Sequence, residues 1–180
     1  MDFEKLMYDS SMFLANQTAK KLTENPEFLE NAINVAFKNI NQISARTTNV
    51  IEIFDYQAPN EIKPFLRKII LKLPEFKFDG QVRSFLKLLI RHIHDLDDEE
   101  QGRLYEHCLK FVLNPKQPVA VRYYSIEILG IFAIKYPELE NEVVSTIEIG
   151  LTEGTPAFKA MATEIFKSFK KTTKSRKNGT

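Results

Sequence analysis

The stretch Pro118-Val-Ala-Val-Arg-Tyr-Tyr-Ser-Ile-Glu-Ile-Leu-Gly-Ile-Phe-Ala133 decides the architecture of this chain. Pro118 suits the first turn of a helix, where a missing N–H costs nothing. From there Val121, Tyr124, Ile128, Leu129 and Phe132 step by three and four, an apolar stripe of helical period. Working outward from Arg122, the same pattern returns. Ala45-Arg46, Val82-Arg83, Val121-Arg122 and Phe158-Lys159 each set an apolar residue before a cation, with spacings of 37, 39 and 37 residues. Two positions on stand Thr48, Phe85, Tyr124 and Met161; seven positions on stand Ile53, Ile90, Leu129 and Phe166. Recurrence at a period near forty is the signature of stacked helical repeats.

Each of these helices is followed by a second at a constant offset: Ile62 to Leu73, Leu104 to Leu113 and Val143 to Leu151. The twenty-fifth residue after each cation is Leu71, Cys108 and Ile147, which predicts an apolar contact position there. Pro-Val-Ala-Val-Arg followed by Ile-Glu-Ile-Leu-Gly resembles the first helix of a HEAT repeat, and the resemblance spans roughly residues 44 to 171. It implies an all-α, right-handed α-α superhelix of about four helix pairs plus a C-terminal helix. HEAT repeats usually carry an Asp six residues before the Arg, which ladders neighbouring units together. Here those positions hold Ile40, Lys77 and Lys116, so no such ladder is carried over.

Read in order, Phe3 to about Lys21 is helical, with Asp9-Ser10 as a break or a second cap. Asn25-Pro26-Glu27 opens the next helix, cap then proline then acid, and these two form an atypical capping unit. Ser44–Tyr56 and Glu61–Leu73 make the next pair, with Pro64 early enough to be tolerated. Gln81–Asp95 follows. Asp97 with Glu100 three residues later reads as a capping box for a helix through Val112. Tyr136-Pro137 divides the following pair, and Pro156 opens the last helix. This makes nine helices with no strand alternation, a single domain over 1–171 and a basic, unstructured tail over 172–180 that has no apolar residue.

Composition sets the class. The 180 residues carry a net charge of +1, which by itself favours neither nucleic acid nor membrane. No apolar run reaches the roughly 20 residues that span a bilayer, and no secretory leader is read at the start. The lone Cys108 excludes an internal disulfide and fits a reducing compartment, so the expected location is cytoplasmic. Charge is uneven along the chain. From Pro156 onward there are seven cations against one acid, and the remainder is net −5.

Sites of chemistry are scarce. His92, His94, Asp95, His107 and Cys108 hold every histidine and the only cysteine. Yet His92 and His94 diverge by about 200° on a helix, and His107 and Cys108 are adjacent, so neither pair chelates. Cys108 falls on an apolar repeat position, where cysteine acts as a small hydrophobe. Asp95-Leu-Asp-Asp-Glu-Glu100 lacks the glycine that an EF-hand loop needs and reads as an acidic helix start. There is no glycine-rich phosphate loop. Neither metal nor cofactor is expected.

HEAT-like arrays include DNA alkylation-repair glycosylases, which use a basic concave face and aromatic residues, tryptophan among them. This chain has no Trp. Two of its second helices, which should line the concave face, are opposite in sign. Lys63, Arg67, Lys68 and Lys72 stand on one, and Glu138, Glu140, Glu142 and Glu148 on another. A continuous phosphate-binding groove does not follow. The expected function is a non-enzymatic protein-interaction module or scaffold. Its binding residues are Lys63, Arg67, Lys68, Arg103, Glu106, His107, Glu142 and Ser145, and its partner is a protein. The alternative is a nucleic-acid-binding or repair-like protein using Lys63, Arg67, Lys68 and the tail.

Overall fold

The computed structural model describes residues 1–8, 11–152 and 154–178, with side chains through 171. Among the described residues there are eleven α-helices and no strand, the layout of an all-α HEAT-like repeat fold. They are α1 (Phe3–Leu6), α2 (Met12–Glu24), α3 (Leu29–Phe37), α4 (Asn41–Gln57), α5 (Pro59–Ile62), α6 (Leu66–Lys72), α7 (Asp79–Arg91), α8 (Asp98–Leu113), α9 (Val119–Lys135), α10 (Glu140–Leu151) and α11 (Pro156–Asn178).

Two more helices are present than the sequence reading counts, and both arise from splits. The first segment divides into α1 and α2, and Ser11 caps the second by accepting from the Leu14 N–H at 3.2 Å. The Asp9-Ser10 break itself lies outside the described residues. The second split is at Pro64. A 3₁₀ turn over Lys63–Phe65 separates α5 from α6. Three residues at about 120° each instead of 100° advance the helical phase by about 60°. Leu66, Ile69, Ile70 and Leu73 are therefore buried, whereas Leu71 is 43% exposed. The repeat alignment puts Leu71 inside; the proline turns it out. Its counterparts Cys108 and Ile147 are fully buried, as the alignment requires.

The chain divides into two compact units, Met1–Gln101 and Gly102–Thr180. In the first, α4 is the centre, packed on α2, α3 and α7. The tight turn into α4 uses Asn39 and Asn41 at φ 55° and 39°, where asparagine is among the residues that tolerate the left-handed region. Asn39 then bonds forward one repeat: its Nδ2 donates to the Glu75 carbonyl at 3.2 Å, and its Oδ1 accepts from the Lys77 N–H at 3.1 Å. Buried Gln81 donates from Nε2 to the Ala36 carbonyl at 2.7 Å, locking α7 to the end of α3. Phe37, Phe76 and Phe85 close this core, with ring centroids 5.1–6.0 Å apart.

In the second unit α9 packs against both α10 and α11. Leu129 and Phe132 face that core together with Ile126 and Ile128. Gly130 and Gly150 permit close approach. A Cβ on Gly150 would stand 2.7 Å from Phe158 Cζ, and one on Gly130 would stand 3.0 Å from Ile165. Arg122, the residue that anchors the repeat alignment, is buried. It donates from Nη2 to the Gly150 carbonyl at 3.0 Å and lies 5.0 Å from the Phe158 ring centroid. The backbone of α11 is helical to Asn178; Gly179 and Thr180 and the side chains from 172 onward, on which the proposed basic tail depends, lie outside the described residues.

Candidate functional site

The cations expected on the second helices of the first unit are exposed because α5 and α6 bury the opposite stripe, Ile62, Leu66, Ile69 and Ile70. They are not unaccompanied. Lys63 Nζ meets Asp95 at 2.7 Å. Arg67 meets Glu99 at 2.9 Å and Asp97 at 3.9 Å. Lys68 donates to Asn34 at 3.3 Å and lies over the Phe37 ring at 5.6 Å. The acidic stretch that the sequence reads only as a helix start thus supplies the counter-charges. Its local role holds as well: the Asp97 side chain accepts from the Glu100 N–H at 2.8 Å, and Glu100 accepts from the Asp97 N–H at 3.0 Å.

Behind this surface lies a buried network that sequence reasoning misses. Asp95 Oδ2 is 2.9 Å from His92 Nδ1, and His92 Nε2 is 2.6 Å from Asp55 Oδ1. Asp55 also accepts from Arg91 Nε at 2.6 Å, and Arg91 covers the Tyr56 ring at 4.0 Å. Glu52 pairs with Lys87 one turn away. The result is a run of paired side chains, Lys63–Asp95–His92–Asp55–Arg91, that passes from solvent through buried His92 and Asp55 to the partly exposed Arg91. The hydrogen bond from Lys63, followed by that from His92, holds the Asp95 carboxyl below its ordinary range. Two carboxylates of α4 thus bind Lys87 and Arg91 of α7 and His92, the residue that caps its C-terminus. This ties neighbouring repeats by ion pairs, though at positions other than those where HEAT repeats usually carry their Asp. The signal in the sequence was Glu52 and Asp55, three apart within the otherwise apolar stretch Val50–Tyr56.

Both ring nitrogens of His92 are engaged by carboxylates, His94 is exposed, and Cys108 is fully buried. Burial pushes the Cys108 thiol far above its ordinary range, outweighing a hydrogen bond with Ser125. Among the described residues no three His, Cys, Asp or Glu side chains gather to hold a metal ion.

The remaining sequence candidates belong to the second unit. Tyr105 donates its hydroxyl to Glu142 at 2.6 Å, and burial, then that hydrogen bond and the Glu142 charge, hold the phenol far above its usual range. Glu106 approaches Lys110 at 3.9 Å. Ser145 spends its hydroxyl on the Asn141 carbonyl at 3.0 Å. Arg103 is exposed and His107 half-buried. Glu142 and the α8 residues are therefore neighbours through Tyr105, while Ser145 acts locally.

A repeated-helix chain of this periodicity, with ion pairs and turn contacts linking successive pairs, defines a class. The HEAT repeat domain family matches residues 4–169, and the chain belongs to it. No curated protein and no solved structure matches the chain. Among the described residues no helix is long and apolar enough to cross a membrane.

Proposed function

We propose that this chain is a non-enzymatic protein-interaction module, binding a protein partner of segregated charge through the second helices of its repeats. The observation that carries the reading is the pairing of Lys63 and Arg67 with Asp95, Asp97 and Glu99. A phosphate backbone would have to displace those carboxylates or be repelled by them. A protein surface can meet cations and acids together. HEAT repeats commonly mediate protein interactions, which supports the same reading. The acidic run of α10 and its approach, Glu138, Glu140, Glu142 and Glu148, adds a second pole. The buried lone cysteine is compatible with a cytoplasmic site of action. The basic tail, residues 172–180, supplies at most a weak, salt-dependent attraction to nucleic acid.

The test is affinity capture from lysate with and without nuclease, using the native chain and the double reversal Arg67→Glu with Lys68→Glu. A protein partner that survives nuclease and is lost on reversal supports the proposal. A partner that disappears with nuclease, or capture of nucleic acid alone, favours the nucleic-acid reading instead.

A further inference from the structure

A groove of about 400 Å³ opens in the first unit among α2, α4 and α7, the first helices of their pairs rather than the second. Its geometry begins with small residues. Ala15, Ala45 and Gly80 line it, and a Cβ built on Gly80 would lie 3.5 Å from Ala45 Cβ, so α4 and α7 approach closely there. Arg46 and Arg83 stand among the lining residues. Arg46 is held in place, donating to the Met7 carbonyl at 2.9 Å and to Gln42. Arg83 is exposed. The other two arginines of this unit, Arg67 and Arg91, each sit on a carboxylate. Arg46 and Arg83 have none among the described residues, and no carboxylate is among the described residues lining the groove.

A second, independent feature points the same way. Ser84 is 1% exposed, lines the groove, and its Oγ has no hydrogen-bond partner. A buried hydroxyl without a partner is destabilising unless something meets it. Met12 brings an apolar edge. It is 61% exposed, and Tyr8 and Phe13 beside it in sequence are 75% and 71% exposed, an unusual density of bare apolar side chains within six residues. Methionine adapts its shape to irregular partners.

We propose that this groove is a docking site for an extended peptide segment of a partner, carrying an acidic side chain next to an apolar one. The acid meets Arg83 and Arg46, the apolar side chain rests on Met12, and Ser84, Asn49 and Gln42 meet the peptide backbone. The dimensions agree. Gln42 and Asn49 are two turns apart on α4, about 10.5 Å, which is the length of about three residues of extended chain. Two guanidinium groups beside an apolar edge are too few for a nucleic-acid backbone, whose binding scales with the number of phosphates neutralised. The site goes beyond the second-helix surface proposed above and does not depend on it.

The experiment is selection from a random peptide-display library against the whole chain, with counter-selection against Arg83→Glu. The expected result is enrichment of acidic sequences with a neighbouring apolar residue. Synthetic copies of these should lose about tenfold or more in affinity on Arg83→Glu and on Met12→Ser, yet bind Arg67→Glu unchanged. Arg83→Gln serves as the second variant should the reversal fail to fold, and circular dichroism checks both. Three results would overturn the proposal: no enrichment, enriched peptides without acidic residues, or peptides that bind Arg83→Glu as well as the native chain. Groove resonances shifted by citrate or inorganic phosphate but by no selected peptide would overturn it too, in favour of a small-anion site.

Discussion

Replacing Asp55 by alanine removes the acceptor at the buried centre of the network that joins α4 to α7. The Asp55 side chain is 0% exposed, and it meets His92 Nε2 and Arg91 Nε, each at 2.6 Å. Removing one partner of a buried ion pair costs about 3–5 kcal/mol, because the other partner is left charged and unpaired. Two facts place this case at the lower end, about 3 kcal/mol. Arg91 keeps the Lys87 carbonyl at 3.2 Å and the Tyr56 ring, and its side chain is 24% exposed. His92 has no such recourse, being 2% exposed with Asp95 as its other partner. Urea unfolding at neutral pH, followed by far-ultraviolet circular dichroism, measures the loss. Lys63→Ala at the solvent end of the same run is the control, expected within about 1 kcal/mol of the native chain, as exposed pairs are. An Asp55→Ala protein within about 0.5 kcal/mol of native would refute the claim that this network holds α4 to α7.

Three further outcomes are expected. Because Lys63 and His92 depress the folded-state Asp95 carboxyl, its contribution is present above the ordinary Asp range and fades as pH falls through the lowered value. The stability gap between native protein and Asp95→Asn should therefore be widest near pH 7 and narrow below about pH 4; a gap that widened in acid would contradict the assignment. Leu129→Ala, at a fully buried position of α9, should cost about 2–5 kcal/mol in the same unfolding assay, and an unchanged midpoint would count against the repeat alignment on Arg122. Gly150→Ala should cost about 1–3 kcal/mol by crowding Phe158 and Arg122, and Phe158→Leu should relieve part of that loss if the crowding is the cause.

What could be read in advance follows from the range of each interaction. The repeat was legible because its determinants are local or periodic: the α9 stripe and the Asp97–Glu100 capping box lie within one or two helical turns of their cause, and the buried positions Cys108 and Ile147 follow from the constant offset between paired helices. The phase of α6 was not, because a single 3₁₀ turn at Pro64 rotates every residue after it, and Leu71 is the visible consequence. The pairing of Lys63 and Arg67 with Asp95 and Glu99 joins residues about thirty positions apart. Nothing local distinguishes a solvated acidic helix start from one that neutralises the helix before it. The Asp55–His92 contact has the same character. It depends on the register of α4 against α7, which the apolar pattern permits but does not specify. The first-helix groove was invisible for a further reason. In sequence Arg46 and Arg83 read as repeat markers, and only the small residues Ala15, Ala45 and Gly80, in three dimensions, turn two markers into the wall of a groove.

The most direct test of the interaction-module reading is binding of generic duplex and single-stranded DNA by the chain ending at residue 171, at near-physiological salt. Truncation removes the cations of the tail and leaves the second-helix surfaces to act alone. With Lys63 and Arg67 held by carboxylates, dissociation constants weaker than about 100 µM are expected, no better than non-specific association. Micromolar or tighter binding, abolished by Arg67→Glu with Lys68→Glu, would contradict the protein-interaction reading and put a nucleic-acid function in its place.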